Sequence, residues 1–244
     1  GQWWACAERR DCRDFARIIG RLAMSDANHS SLSAVESLGR EVTPFQDSAQ
    51  DLGLTIRGAQ NEFGLHGPVQ FVDADNAVIQ QAEFSDGKLH GLLERFDKGV
   101  KVFEQEFVKG HPHGVMRTYS GVDLVSEQFF EAGQLHGLCR LFSGGVLIRE
   151  CVYVSGQMHG EVSEYNTDGG IIRREYYQNG LKDGVQTVFW PDGRVLQTQE
   201  FRNGIPVAPP RQYSQAGKLV TKTQSDQTGI IDTLVAMFSN EDKK

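Results

Sequence analysis

The chain has 244 residues, a formal charge of −7, 39% hydrophobic residues and a mean hydropathy of −0.40. The acidic balance argues against a nucleic-acid partner, because phosphate binding needs a basic surface, and mildly against anionic membranes; it favours a basic partner. No run of 18 apolar residues exists, so no segment is long and apolar enough to cross a membrane as a helix.

The stretch from Asp14 to Met24 carries Phe15, Ile18, Ile19 and Leu22 at helical spacing and predicts a first helix. Ser33-Ala34-Val35-Glu36 has capping-box spacing and predicts a short second helix through Leu38. Residues 41 to 58 read as a loop that closes an N-terminal helical cap, 1–58. From 59 to 224 the chain becomes periodic. His-Gly returns as His66-Gly67, His90-Gly91, His113-Gly114, His136-Gly137 and His159-Gly160, at steps of 24, 23, 23 and 23 residues; Asp183-Gly184 follows 24 later. A fixed period in this range marks a repeat architecture. Five of the seven histidines, with Asp183 in the same slot, therefore read as parts of one structural repeat turn.

The frame around that slot repeats too. An aromatic residue stands three before a glycine in Phe84/Gly87, Phe107/Gly110, Phe130/Gly133, Tyr153/Gly156, Tyr177/Gly180 and Phe201/Gly204. Another stands six after the histidine position: Phe96, Tyr119, Phe142, Tyr165 and Phe189. A second turn divides each unit, as in Ser143-Gly144-Gly145 and Pro191-Asp192-Gly193. Glycine supplies positive φ, and Asp, Asn and Ser help the reversal. The runs between turns are short and rich in β-branched and aromatic residues, which reads as strands. None is long enough for a crossover helix, so successive strands must be antiparallel. After the array, Ile230, Ile231, Leu234, Val235 and Phe238 form an apolar stripe that predicts a capping helix in 225–244.

Tyr177-Gln178-Asn179-Gly180-Leu181-Lys182-Asp183-Gly184 and Trp190-Pro191-Asp192-Gly193 are the clearest copies of the pattern. They resemble the MORN repeat, in the degenerate variant found in bacterial antitoxin and immunity proteins. The resemblance covers residues 60 to 220, six or seven units. It implies a mostly β fold: an elongated antiparallel sheet of stacked hairpins of about 23 residues, with helical caps at both ends.

Three chemistries compete for the repeated polar residues. Histidines one repeat apart should lie about 10 Å apart, two strand spacings, and zinc needs ligands near 2 Å from one ion. No metal or other cofactor is therefore expected, and each imidazole should hydrogen-bond within its own turn. Hydrolase motifs are absent, and Cys139 stands three after His136 where other repeats place Leu93, Met116 and Val162, a packing slot. A non-enzyme is expected. The third feature is a charge column: Glu104, Glu127 and Glu150 stand three before the repeated aromatic, and Glu94, Arg117 and Arg140 four after the histidine. These charges either pair across strands or, with Tyr119, Tyr165 and Tyr176, form a partner-binding surface.

Four cysteines complete the inventory. Cys139 and Cys151 flank the Ser143-Gly144-Gly145 turn, and Cys6 and Cys12 sit six apart; each pair is a candidate disulfide. An even count, with a chain that starts at Gly1, fits a periplasmic or otherwise exported protein, the alternative being cytoplasmic with buried thiols. The resemblance implies an immunity or antitoxin protein that neutralises a cognate toxin or secreted effector, such as a type VI phospholipase. The alternative is a MORN scaffold associated with membrane lipids.

Overall fold

A computed structural model describes residues 43–49 and 54–220. The predicted helices in 14–24, 33–38 and 230–238, together with Cys6 and Cys12, lie outside the described residues. Among the described residues every regular element is a strand, and they fall into two compact units that divide between Cys139 and Arg140. In the first unit lie β1 (Thr43–Ala49), β2 (Leu54–Asn61), β3 (Gly64–Leu65), β4 (Gly67–Val72), β5 (Val78–Ser85), β6 (Lys88–Asp97), β7 (Val100–Val108), β8 (His111–Ser120) and β9 (Asp123–Glu131). The division falls within β10 (Gln134–Ser143). The second unit holds β11 (Val146–Val154), β12 (Gln157–Met158), β13 (Gly160–Tyr165), β14 (Ile171–Gln178), β15 (Leu181–Lys182), β16 (Gly184–Phe189), β17 (Val195–Arg202), β18 (Ile205–Pro206), β19 (Arg211–Tyr213) and β20 (Leu219–Val220). Pairing is antiparallel throughout each unit, as the short connections require.

The expectation of a loop over 41–58 is corrected. Thr43–Ala49 is a strand whose seven residues pair with β2, from Thr43 opposite Gln60 to Ala49 opposite Leu54. Its sequence lacks apolar alternation and contains Pro44, so its extended form comes from the hydrogen bonds of β2 rather than from propensity. Proline is tolerated on a strand whose amide side is not needed by a neighbour.

The His-Gly dipeptides are also not turns. Each reversal comes just upstream, at Asp86-Gly87, Lys109-Gly110 and Ala132-Gly133 in the first unit, and at Ser155-Gly156, Asn179-Gly180 and Asn203-Gly204 in the second. There φ is 48° to 52° at the first residue and 75° to 85° at the glycine. Positive φ at both central residues makes these type I′ turns, whose twist matches that of the flanking strands. His-Gly sits on the returning strand, at a bulge. Phe84 pairs with Leu89 while Ala82 pairs with Leu93, two steps on β5 against four on β6. Glu106 pairs with His113 while Gln105 pairs with Met116, one step against three. The bulge glycine takes positive φ, +107° at Gly91, and the Glu83 side chain of the preceding strand lies over the space a Cβ would need.

The bulge of one repeat holds the turn of the next. The Gly87 amide donates to the Leu65 carbonyl at 2.9 Å, Gly110 to Leu89 and Gly133 to Pro112 at 2.8 Å; in the second unit Gly180 donates to Met158 at 2.9 Å and Gly204 to Lys182 at 2.7 Å. Beside this bond the repeated side chain accepts the neighbouring turn amide. Asp86 N donates to His66 Nδ1 and Lys109 N to His90 Nδ1, both at a long 3.4 Å, and Asn203 N donates to Asp183 Oδ2 at 3.1 Å. At His66 and His90 the imidazole thus has a partner 19 or 20 residues along the chain, and His66 also meets Asn61 Nδ2 at 3.2 Å across its own hairpin, as expected. Histidine and aspartate share the slot because each offers an acceptor there.

Buried residues form one column on one face of the first unit: Val69 opposite Ala82, Ala82 opposite Leu93, Leu93 opposite Gln105 and Gln105 opposite Met116. Ile56, Leu65, Phe71 and Phe84 join it. Gln105, 2% exposed, survives there because its Nε2 donates to the carbonyls of Glu106 at 2.8 Å and His113 at 3.0 Å.

Two substitution pairs follow. His90→Asp should shift the thermal midpoint by no more than about 2 °C, whereas His90→Leu, which loses the bond from the Lys109 amide, should cost about 1 kcal/mol, the net value of one hydrogen bond. Gly99→Ala, at φ +81° with nothing within 4 Å, should cost only the left-handed strain of about 1–2 kcal/mol. Gly87→Ala, at φ +75° but 2.6 Å from the Phe63 carbonyl, should cost clearly more. Urea unfolding of the four variants checks the order.

Candidate functional site

Alternation along the strands places the charge column on the face opposite the buried column, since Arg117 follows Met116 on β8. In the first unit the charges form one connected ladder. Gln81 Nε2 donates to Glu94. Lys101 Nζ lies 2.6 Å from Glu94 and 2.9 Å from Glu104. Arg117 bridges Glu104 and Glu127, each at 2.9 Å, and the Tyr119 hydroxyl donates to Glu104 at 3.0 Å. The Glu104 side chain is only 13% exposed. Burial pushes its carboxyl up, but the bonds from Arg117, Lys101 and Tyr119 outweigh this and hold it at about 2. The Lys101 hydrogen bond lowers Glu94, and the Glu94 and Glu104 carboxylates raise Lys101 in return. Burial, then the bond to Glu104, raises the Tyr119 phenol.

The second unit repeats the device in pairs. Arg140 Nε meets Glu150 at 2.9 Å, and Arg174 Nε meets Glu161 at 3.0 Å. The Tyr176 hydroxyl donates to Glu161 at 3.1 Å, and Ser163 Oγ at 2.8 Å. Tyr165 is half-buried on β13. Of the six residues singled out for partner binding, Glu104, Glu127 and Tyr119 come together in the first unit, and Glu150, Tyr165 and Tyr176 belong to the second. The acids are engaged with arginines across strands, so the geometry favours the pairing role over a bare acidic stripe. This face leaves both apolar and acidic side chains to solvent: Leu92 and Phe129 with Glu83 and Glu106 in the first unit, Tyr176 and Val185 with Glu161 and Glu200 in the second. Val115 stands opposite Phe129 and extends that patch.

Two features escaped the sequence reading. Lys101, which joins two glutamates, stands outside both repeated charge slots; the excess of acid over base around Glu94 and Glu104 was its only signal. Glu175 is buried, 7% exposed in its side chain, on the other face of the second unit. Lys182 Nζ lies 2.7 Å from it, the Tyr177 hydroxyl donates to it at 2.9 Å, and Lys182 also reaches Gln186. Burial and that bond raise the Tyr177 phenol. Its signal was a charge in a slot that elsewhere holds Ala82, Gln105 and Cys151. Cys139 and Cys151 are both buried. His66, His90, His113, His136 and His159 lie on successive bulges rather than at one point, and no group of three or more potential metal ligands exists among the described residues.

Residues 158–180, one bulge-to-turn unit with its Tyr177 aromatic, match the MORN repeat variant family. These residues form a MORN-type repeat. No curated protein matches it significantly. Among solved structures, S. aureus TarM in mutant form with Fondaparinux, alpha-GlcNAc-glycerol and UDP is 13% identical over 48% of this chain and 21% of that one, with a TM-score of 0.25. Another TarM structure is 14% identical over 47% and 21%, with a TM-score of 0.24. The chain thus matches about a fifth of the length of these structures, at scores too low to carry an argument.

The ladder has a pH signature. The Glu104 carboxyl falls from an ordinary 4.5 to about 2 on folding, so its stabilisation is complete above about pH 4.5 and drains as pH drops towards 2. Discounting for partial exposure, the loss should be on the order of 2 kcal/mol. Chemical denaturation at pH 5.5 and 2.5 should show this drop in the wild type and a smaller one in Glu104→Gln.

Proposed function

We propose that this protein is a non-enzymatic binding module of the immunity or antitoxin type, which captures and neutralises a cognate toxin or secreted effector. The observation that carries the reading is how its polar chemistry is spent. The most buried titratable groups on the sheet are joined to one another, in the Glu94–Lys101–Glu104–Arg117–Glu127 ladder and the Glu175–Lys182 pair. A catalytic group must instead face a substrate. Such a sheet offers a preorganised surface, which lowers the ordering cost of tight binding. The contact residues are the exposed apolar and aromatic side chains beside the ladder, Leu92 and Phe129 in one unit and Tyr176 and Val185 in the other, with the paired charges as a polar surround. Type VI effectors are one class of cognate toxin, and an exported chain would meet them in the periplasm.

The test is affinity capture of the tagged full chain from the cells that encode it, with quantitative mass spectrometry. One protein should be retained at close to one-to-one ratio through about 0.5 M salt, because an apolar contact is weakly screened. Phe129→Asp should lower its capture at least about tenfold with an unchanged thermal midpoint, since Phe129 is 37% exposed. Retention of lipid without protein would overturn the reading.

A further inference from the structure

The first-turn edge of the first unit carries a groove of about 520 Å³ lined by Phe63, Ser85, Asp86, Lys88, His90 and Lys109. We propose that this groove binds an acidic peptide segment of a protein partner, a carboxylate seating between Lys88 and Lys109 and an apolar side chain against Phe63. The inference rests on the reading of the chain as a protein-binding module, and it locates one contact on the turn edge rather than on the sheet face.

Charge is the first argument. Lys101 and Arg117 are matched by glutamates, but Lys88 and Lys109 have no ion-pair partner among the described residues. Asp86, the one acid lining the groove, accepts from Asn61 Nδ2 at 2.8 Å and lies 3.4 Å from His66 Nδ1, so its carboxylate is already engaged. Position is the second argument. Stacking brings the two lysine-bearing turns together: the Lys88 Cβ lies 4.0 Å from where a Cβ on Gly110 would sit, next to Lys109. The His90 ring is oriented by the Lys109 amide at Nδ1, which leaves Nε2 as its remaining polar atom. Phe63 is 55% exposed and supplies the apolar wall.

The fold does not require this chemistry. The first turn residue, lysine at 109, is Ala132, Ser155, Asn179 or Asn203 in other repeats, and the residue after the turn glycine, lysine at 88, is Gln134, Gln157, Leu181 or Ile205. Two lysines with no ion-pair partner among the described residues, at adjacent turns of a chain of net charge −7, are therefore suited to recognition. A concave site with only two cations suits a carboxylate-bearing segment better than an anionic membrane, which the remaining charge repels.

The probe is a fluorescein-labelled octapeptide of Glu and Asp with one central Phe, titrated with the full chain by anisotropy at about 50 mM salt. Saturable binding is expected, weakened about tenfold in Lys88→Glu/Lys109→Glu, about threefold in Lys88→Gln/Lys109→Gln and about threefold in Phe63→Ser. An all-Lys counterpart should not bind. No saturable binding by the wild type, equal binding by both lysine variants, displacement by inorganic phosphate alone, or preference for phosphatidylserine vesicles over the peptide each overturns the inference. Failure here leaves the protein-binding reading intact, because that stands on the affinity capture; failure of the capture leaves this groove without a natural occupant even if the peptide binds.

Discussion

The whole repeat is organised around one hydrogen bond: the amide of a turn glycine reaching the carbonyl that precedes the bulge of the repeat before it. A type I′ turn leaves its second amide pointing away from its own hairpin, and a bulge leaves a carbonyl without a ladder partner. Each on its own would be an unsatisfied backbone group. Put side by side, as Gly110 and Leu89 are, they satisfy one another. The repeat length follows, because the chain must run out along one strand and back along the next before the turn arrives beside the bulge. The polar side chain in the slot then needs only to offer an acceptor, which is why His66, His90 and Asp183 are interchangeable in kind.

That constraint frees the two faces for different work. One face takes the buried column in the first unit and a paired Glu175–Lys182 in the second. The other carries ion pairs, three carboxylates to two cations in the first unit's ladder, which set register and local order. A like charge opposite Arg117 would cost more than the pair contributes, which makes the ladder a device for holding strands in place. The apolar residues beside it face solvent without that duty, and the proposed partner contact is assigned to them for this reason.

Much of this was legible in the sequence. The period, the aromatic frame, the antiparallel hairpins and the cross-strand meeting of Glu104 and Glu127 with Arg117 could all be read from spacing. The role of His-Gly could not. Bulges and tight turns both recruit glycine with positive φ, so Gly91 looks like the turn glycine Gly87 until the strand register is known. The turn amides that meet His66 and His90 lie some 20 residues away, beyond any local pattern. The strand at Thr43–Ala49 was hidden for a related reason: its backbone is held by β2, and its side chains carry little of the alternation that announces a strand. Lys101 was missed because it lies off the repeat frame, close to a second-turn irregularity where the register shifts between Arg95 and Phe96.

Hydrogen exchange at single turn glycines tests the central constraint most directly. Gly87, Gly110 and Gly99 sit in turns of the same geometry, with φ of 75°, 85° and 81°, but the first two donate to a bulge carbonyl while Gly99 has no such acceptor among the described residues. In native-state exchange followed by NMR, the amides of Gly87 and Gly110 should be protected to nearly the same degree as strand amides, and that of Gly99 should exchange as fast as an exposed loop. Equal, fast exchange at all three would contradict the account, because the bond between turn and bulge would then not be what holds successive repeats together.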